Sequence, residues 1–173
     1  WDPGPTRALA LVMPNSTSEV SEVMRICHKH KQPVVTQGGK TNCVQSADPR
    51  PEEIILSTER LNQIESIDIV NGVASVGAGV VLQTLQEACL AKDMLFPLDL
   101  GSRGSCTIGG NVSTNAGGIS VLRYGMMRDL VLGLEVVLSD GTILSSMNQM
   151  LKNNSAYDLK QLFIGSEGTL GVV

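Results

Sequence analysis

The sequence predicts an α+β fold, two small mixed α/β lobes with glycine-rich loops between them. Three observations lead there. Along residues 9–97, short apolar runs bounded by Gly, Pro, Asn and Asp alternate with amphipathic helix patterns. Residues 99–125 then hold seven glycines interleaved with Ser, Thr and Asn, and only Asp99, Arg103 and Arg123 carry charge there. An Asp-Gly hairpin signal follows at Asp140-Gly141.

Leu9–Met13 reads as the first strand. Ser16 offers an N-cap with Glu19 three residues on, a capping box, and Val20, Val23, Met24 and Cys27 follow at helical spacing. That helix runs to about Lys31, and Pro33 closes it. Val34-Val35-Thr36 is a short buried strand that Gly38-Gly39 ends. Ile54–Ser57 is a strand, as is Val73–Val76 after the Asn71-Gly72 turn signal. Leu82, Leu85, Gln86 and Cys89 mark a second helix, with Leu95–Pro97 extended beyond it. Val131–Leu138 and Thr142–Leu144 flank the Ser139-Asp140-Gly141 turn, and Asp158–Phe163 is a short helix leading into Ile164–Gly171. The first lobe is expected over about residues 1–98 and the second over about 99–173.

The bulk composition removes several function classes. With 173 residues there is enough chain for one compact domain. Aromatic content of 3% is too low for a platform that stacks single-stranded nucleic acid, and a net charge of −4 disfavours a phosphodiester binder. No apolar run approaches the ~20 residues of a membrane span. Cysteines 27, 43, 89 and 106 show neither Cys-x-x-Cys nor zinc spacing. Cys27 and Cys89 fall on apolar helix stripes and read as small core residues, which fits a reducing compartment. The chain opens on Trp1 rather than Met and closes on Leu170-Gly171-Val172-Val173, so it is expected to be one domain of a longer polypeptide.

Three glycine-bearing segments, 36–42, 99–118 and 165–171, each lie at or beyond the end of a predicted strand, where α/β folds place ligand loops. The glycine-rich stretch is too poor in side-chain bulk to build a core, but it suits close backbone approach to a large, polar, anionic ligand. Together the segments suit a long ligand with a central diphosphate and flat ends. Backbone amides are the expected main holders, at about 1.5–3 kcal/mol for each charge-assisted hydrogen bond. Lys40 is an accessory, since an ammonium 4 Å away contributes at most about 4 kcal/mol before desolvation. Other motifs fail on detail. Gly39-Lys40-Thr41 mimics the end of a P-loop, but Val34 stands at the leading glycine position. Gly77-Ala78-Gly79 has Leu82 where a dinucleotide fingerprint needs its third glycine, and reads as a tight turn. His28 and His30, offset by two, share no helix face for a metal.

Longer phrases carry a resemblance: Gly-Ser-Arg-Gly-Ser-Cys-Thr-Ile-Gly-Gly-Asn-Val-Ser-Thr-Asn-Ala-Gly-Gly at 101–118, Leu-Gly-Leu-Glu-Val-Val-Leu-Ser-Asp-Gly at 132–141, and Tyr-Asp-Leu-Lys-Gln-Leu-Phe-Ile-Gly-Ser-Glu-Gly-Thr-Leu-Gly at 157–171. The chain resembles the PCMH-type FAD-binding domain of the vanillyl-alcohol-oxidase superfamily. Within it, the chain is most similar to the branch of D-2-hydroxyglutarate dehydrogenases with their D-lactate and glycolate relatives. The resemblance implies FAD in the cleft between the lobes. Gln37, Gly38, Gly39, Lys40, Thr41 and Asn42 match the loop that wraps the diphosphate. Gly101, Ser102, Ser105, Cys106 and Thr107 match a second loop that crosses the diphosphate toward the flavin. Gly110 and its neighbour Gly109 serve mainly close packing, Thr114, Asn115, Ala116 and Gly117 form the turn after, and Glu167, Gly168, Gly171 and Val172 line the adenosine part.

The first loop departs from the family pattern, because Asn42-Cys43-Val44-Gln45-Ser46 stands where relatives carry several glycines. Asn42 is the replacement expected to tolerate a left-handed backbone. No histidine lies on the three loops, so noncovalent FAD is expected. The resemblance implies oxidation of a small D-2-hydroxy acid, D-2-hydroxyglutarate first, to the 2-oxo acid by hydride transfer to FAD, with an electron-transfer flavoprotein or quinone as acceptor, in the mitochondrial matrix or bacterial cytoplasm. An FAD-linked oxidase, a D-lactate or glycolate dehydrogenase and a non-catalytic flavin-binding module remain the alternatives. Catalytic and metal-binding residues are expected in a substrate domain outside this segment.

Overall fold

The computed structural model describes residues 7–173; the first six residues of the expected first lobe lie outside it. Strands β1 (Ala10–Val12), β2 (Val34–Gln37) and β3 (Ile54–Ser57) form a parallel sheet in the order β1-β3-β2. Ile54 pairs with Ala10 on one side and Val34 on the other. Helix α1 (Thr17–His30) connects β1 to β2 and buries Val20, Met24 and Cys27, the stripe its spacing foretold. These side chains are apolar at i, i+4 and i+7, so one face can leave water together. The Ser16 hydroxyl accepts from the Glu19 amide at 3.3 Å, whereas the Glu19 carboxylate takes the Asn15 amide at 2.8 Å. The expected capping box is thus offset by one residue in its return bond. At the other end Lys31 turns left-handed (φ +53°), and the amides of Lys31 and Gln32 close on the carbonyls of His28 and Cys27 before Pro33.

Strands β4 (Ile64–Asp68) and β5 (Val73–Val76) make an antiparallel hairpin turned at Asn71-Gly72. The sequence pattern had not disclosed β4. A bulge between Ile64 and Ser66 breaks its period of two, so Ile64 and Ile67, three apart, both pack on the core. Helix α2 (Leu82–Leu90) buries Leu82, Leu85 and Cys89. It has no side-chain cap. Its Leu82 and Gln83 amides instead donate to the carbonyls of Cys106 and Arg103, within the glycine-rich stretch.

That stretch contains a helix, α3 (Ile108–Ser113), which corrects the expectation that it could not contribute to a core. Cys106, Ile108 and Val112 are buried in the larger hydrophobic cluster. Two interior glycines cost a helix about 1 kcal/mol each relative to alanine. Here tertiary contacts compensate: Ile108 and Gly109 donate to Val80 and Ala78 carbonyls at 2.9 and 2.8 Å. A Cβ on Gly109 would lie 2.6 Å from that of Ala78, so glycine is what lets the two segments touch.

Short helices α4 (Val121–Tyr124) and α5 (Met127–Leu130) lead to the hairpin of β6 (Leu134–Val137) and β7 (Ile143–Ser146), and α6 (Lys160–Phe163) follows. The hairpin turn docks on α1, where the Ser21 hydroxyl donates to the Gly141 carbonyl at 2.6 Å. Val172 then pairs antiparallel with Val137. The larger hydrophobic cluster takes members from both sides of residue 98, and a smaller one joins Val20, Met24 and Leu56 to Val137 and Val172. Apolar packing is therefore continuous across the chain. No helix among the described residues is long and apolar enough to cross a membrane.

Candidate functional site

Loop 38–47 leaves the end of β2 and meets the segment 102–107 through backbone contact. A Cβ on Gly39 would overlap the Ser105 carbonyl oxygen and lie 2.9 Å from the Cys106 Cα. Only glycine permits that approach. A Cβ on Gly38 would lie 2.5 Å from the Thr107 hydroxyl. From the other side, residues 165–171 are hung on α3: the Gly165 and Glu167 amides donate to the carbonyls of Val112 and Ser113 at 3.1 and 2.8 Å. Arg128 fastens the same region. Its guanidinium donates to the Gln161 and Ile164 carbonyls, and its amide donates to the Asn115 side-chain oxygen at 2.9 Å.

These segments enclose a cleft of about 420 Å³. It gathers all of the sequence-derived site residues except Gln37, Gly101, Ser105, Asn115 and Gly117. Gln37 is buried and donates its side-chain amide to the Ala47 carbonyl at 2.6 Å, bracing the loop from beneath. Gly101 is exposed in open space, and Ser105 supplies the carbonyl against which Gly39 packs. Asn115, left-handed at φ +49°, receives the Arg128 amide, and Gly117 packs against Val121. Gly171, which lines the cleft, also lets the chain approach Val136 and Val137. In the first loop the left-handed residues are Lys40 and Gln45, not Asn42. Asn42 uses its side chain instead, donating to the Ser46 hydroxyl at 2.6 Å.

Among the described residues, the amides of Gly38, Gly39, Lys40, Thr41 and Asn42 find no acceptor. Two buried side-chain atoms lining the cleft are also unpartnered, the Thr107 hydroxyl and the Asn111 side-chain nitrogen. A buried orphan costs a fold about 1–3 kcal/mol, so these two side-chain atoms in one cleft point to a polar ligand, whereas the loop amides lie on exposed or half-buried residues that water reaches. Among the described residues, Lys40 and Glu167 are the only charged ones on its walls, and both are exposed. Sequence reading had missed Asn111, because the glycines around it hid the helix that aligns it with Thr107. A larger space, about 800 Å³, lies between the β4–β5 hairpin and β6. It is walled chiefly by apolar side chains such as Leu85, Phe96 and Val131, and none of residues 36–42 reaches it. No group of His, Cys, Asp and Glu among the described residues is placed to hold a metal ion. Gly77-Ala78-Gly79 is a close crossing, with Gly79 against the Thr58 carbonyl and Ala78 against Gly109.

Uncharged donors drawn from separate loops of an α/β scaffold make a cleft suited to a polar, nucleotide-like cofactor. The comparisons agree. Residues 8–146 match the FAD binding domain family. The mitochondrial D-2-hydroxyglutarate dehydrogenases of Bos taurus and Danio rerio are 53% and 51% identical over 163 residues, 94% of this chain and 30% and 31% of theirs. A D-2-hydroxyglutarate–pyruvate transhydrogenase of Saccharomyces cerevisiae is 49% identical over the same share of this chain and 33% of its own. The chain thus spans about a third of the length of these curated relatives. Alkyldihydroxyacetonephosphate synthase, solved in two crystal forms, shares the fold with TM-scores of 0.81 and 0.83 at 24% identity. The matches cover 94% of this chain and 32% and 29% of the synthase.

The chain belongs to the FAD-binding domain family, with the PCMH-type fold of two α/β lobes. Its cofactor is FAD, held noncovalently. The set fits that group: free amides, a hydroxyl and a carboxamide nitrogen can donate to a diphosphate or to carbonyl-bearing rings, and the hydroxyl can also accept.

Proposed function

We propose that this chain is the cofactor-holding part of a flavin-dependent D-2-hydroxy-acid dehydrogenase whose substrate is D-2-hydroxyglutarate. The observation that carries the reading is the convergence of unpartnered donors on one cleft, in a chain that is 53% identical to a D-2-hydroxyglutarate dehydrogenase. Bound FAD supplies the two-electron acceptor for conversion of a 2-hydroxy to a 2-oxo acid. The chain's own residues bind and orient. Amides of Gly38–Asn42, with Ser102, Cys106 and Thr107, take the diphosphate side of the cleft. Glu167, Gly168, Gly171 and Val172 take the adenosine side, and Gly110, Thr114 and Ala116 lie between them. Lys40 adds a solvated positive charge at the rim.

No residue of this segment is assigned a catalytic role. The base and the substrate carboxylate contacts belong to the remainder of the whole protein. A small 2-hydroxy acid and an acceptor such as an electron-transfer flavoprotein or quinone complete the reaction; the mitochondrion, which the names of the Bos taurus and Danio rerio relatives carry, is the proposed compartment. The test is dye-linked turnover by the complete protein on D-2-hydroxyglutarate, D-lactate and glycolate, with oxygen uptake followed in parallel. We expect kcat/KM for D-2-hydroxyglutarate to exceed that for the shorter acids by at least about tenfold, as a lost charged contact would give. A preference for D-lactate, or oxygen uptake matching turnover, would replace this reading with a lactate dehydrogenase or an oxidase.

A further inference from the structure

We infer that the space between the β4–β5 hairpin and β6 is a slot for one added strand, filled by the stretch of the complete protein that follows Val173. A cavity over a strand's face is lined by alternate residues, and one beside its edge by consecutive residues. Residues 72–78 and 130–135 line this space without a gap, so β5 and β6 both meet it edge on. Those edges carry unpaired backbone groups. In β5 the Gly77 amide is turned toward β4, where it donates to the Gln63 carbonyl at 2.8 Å. Alternation then turns the N–H and C=O of Ala74 and Val76 outward, and β5 pairs with β4 alone among the described strands. In β6 the Leu138 amide donates to the Thr142 carbonyl across the hairpin, so the even-numbered residues serve β7. The N–H and C=O of Glu135 and Val137 therefore face the slot. Facing edges of this kind are templates for another strand, and a two-stranded hairpin is marginal without one.

Val172 selects the occupant. It exchanges both backbone bonds with Val137 at 2.8 Å, the first rung of an antiparallel ladder on the open edge of β6. A partner entering there runs back along β6 from Val137 toward Leu134, which is into the slot. Val172 is buried with Val20 and Leu56 in the smaller cluster, whereas Val173 packs on the larger one. The two thus point to opposite faces, as successive strand residues do. One residue of a packed sheet takes roughly 160 Å³, from about 3.3 Å along the strand, 4.8 Å between strands and 10 Å between layers. The space of about 800 Å³ holds about five of them, close to the four residues each of β5 and β6. The curated relatives run to about three times this length, so a complete protein of that size has the chain to supply them. Filling the slot would join two two-stranded sheets into one of five strands. Val172 and Val173 also line the cofactor cleft, so the added strand would start at its wall.

The test is amide hydrogen exchange on the complete wild-type protein, read residue by residue. We expect the amides of Ala74, Val76 and Glu135 to exchange at least about a hundredfold more slowly than that of exposed Leu151, at every protein concentration. Exchange at the Leu151 rate would mean an open edge and overturn the inference. Slowing that is lost on dilution would give the slot to a second copy and overturn it as well. A cross-link then identifies the segment. Glu135→Cys is combined with a cysteine at the first residue after Val173, which the ladder places directly opposite, at a Cα separation of about 5.5 Å. Mild oxidation of the complete protein should close an intramolecular disulfide. Slow amides without that disulfide, in a variant that keeps the wild-type melting temperature, would mean that another segment fills the slot and would overturn the assignment.

Discussion

Helices α1 and α3 reach stability by opposite routes. Helix α1 has fourteen residues, its own N-cap at Ser16, a left-handed stop at Lys31 and an apolar stripe of Val20, Met24 and Cys27. Helix α3 has six, two of them glycine, and no side-chain cap. Its first amides are held by Val80 and Ala78, its carbonyls by the chain that follows, and its polar face is spent on the cleft. Local sequence builds the first; the second exists because other segments require it. We expect changes in α1 to act on stability alone, and changes in α3 to act on stability and FAD binding together.

The sharpest way to break that comparison is Gly109→Ala. The added methyl would meet the Ala78 Cβ at 2.6 Å and its carbonyl oxygen at 3.0 Å, both on a fixed segment. Despite alanine's better helix propensity, we expect a loss of about 1–3 kcal/mol in urea unfolding, together with weaker FAD binding in fluorescence titration. A stabilised variant would mean that propensity, not contact, governs α3. The matching change on α1, Ser16→Ala, removes the acceptor for the Glu19 amide. It should cost about 1 kcal/mol of stability and leave FAD affinity unchanged. Any shift in affinity there would show that the two helices are coupled.

The smallest effect is a pH dependence on α1. Burial pushes the Cys27 thiol above its ordinary value. As pH rises through the ordinary thiol range the unfolded chain ionises first, so the Cys27 contribution to stability is present below that range and declines above it. Cys43, exposed on the first loop, should be alkylated well before Cys27 in a timed thiol assay near neutral pH. Equal rates would show that α1 opens more easily than its packing implies.

Legibility followed the same division. Elements whose signals are local, such as the Ser16 cap, the α1 stripe and the Asp140-Gly141 turn, could be read directly from the residues. Strand β4 could not, because its bulge erases the alternation that marks a strand. Helix α3 could not, because glycine hides helical periodicity and the bonds that sustain it come from residues 78–80. The three ligand segments were visible as glycine clusters after strands. Asn111 was invisible, since its importance depends on what it fails to touch in the fold. The left-handed residues of the first loop are Lys40 and Gln45 rather than the expected Asn42, a placement that side-chain propensity alone does not reveal.

The bonds from Leu82 and Gln83 to the carbonyls of Cys106 and Arg103 make the ligand loop the missing cap of α2. Amide exchange at the start of that helix consequently reports on the loop's order, though neither residue lines the cleft. Ordering one tightens the other, and a disturbance at the cofactor's edge spreads into the scaffold as fraying.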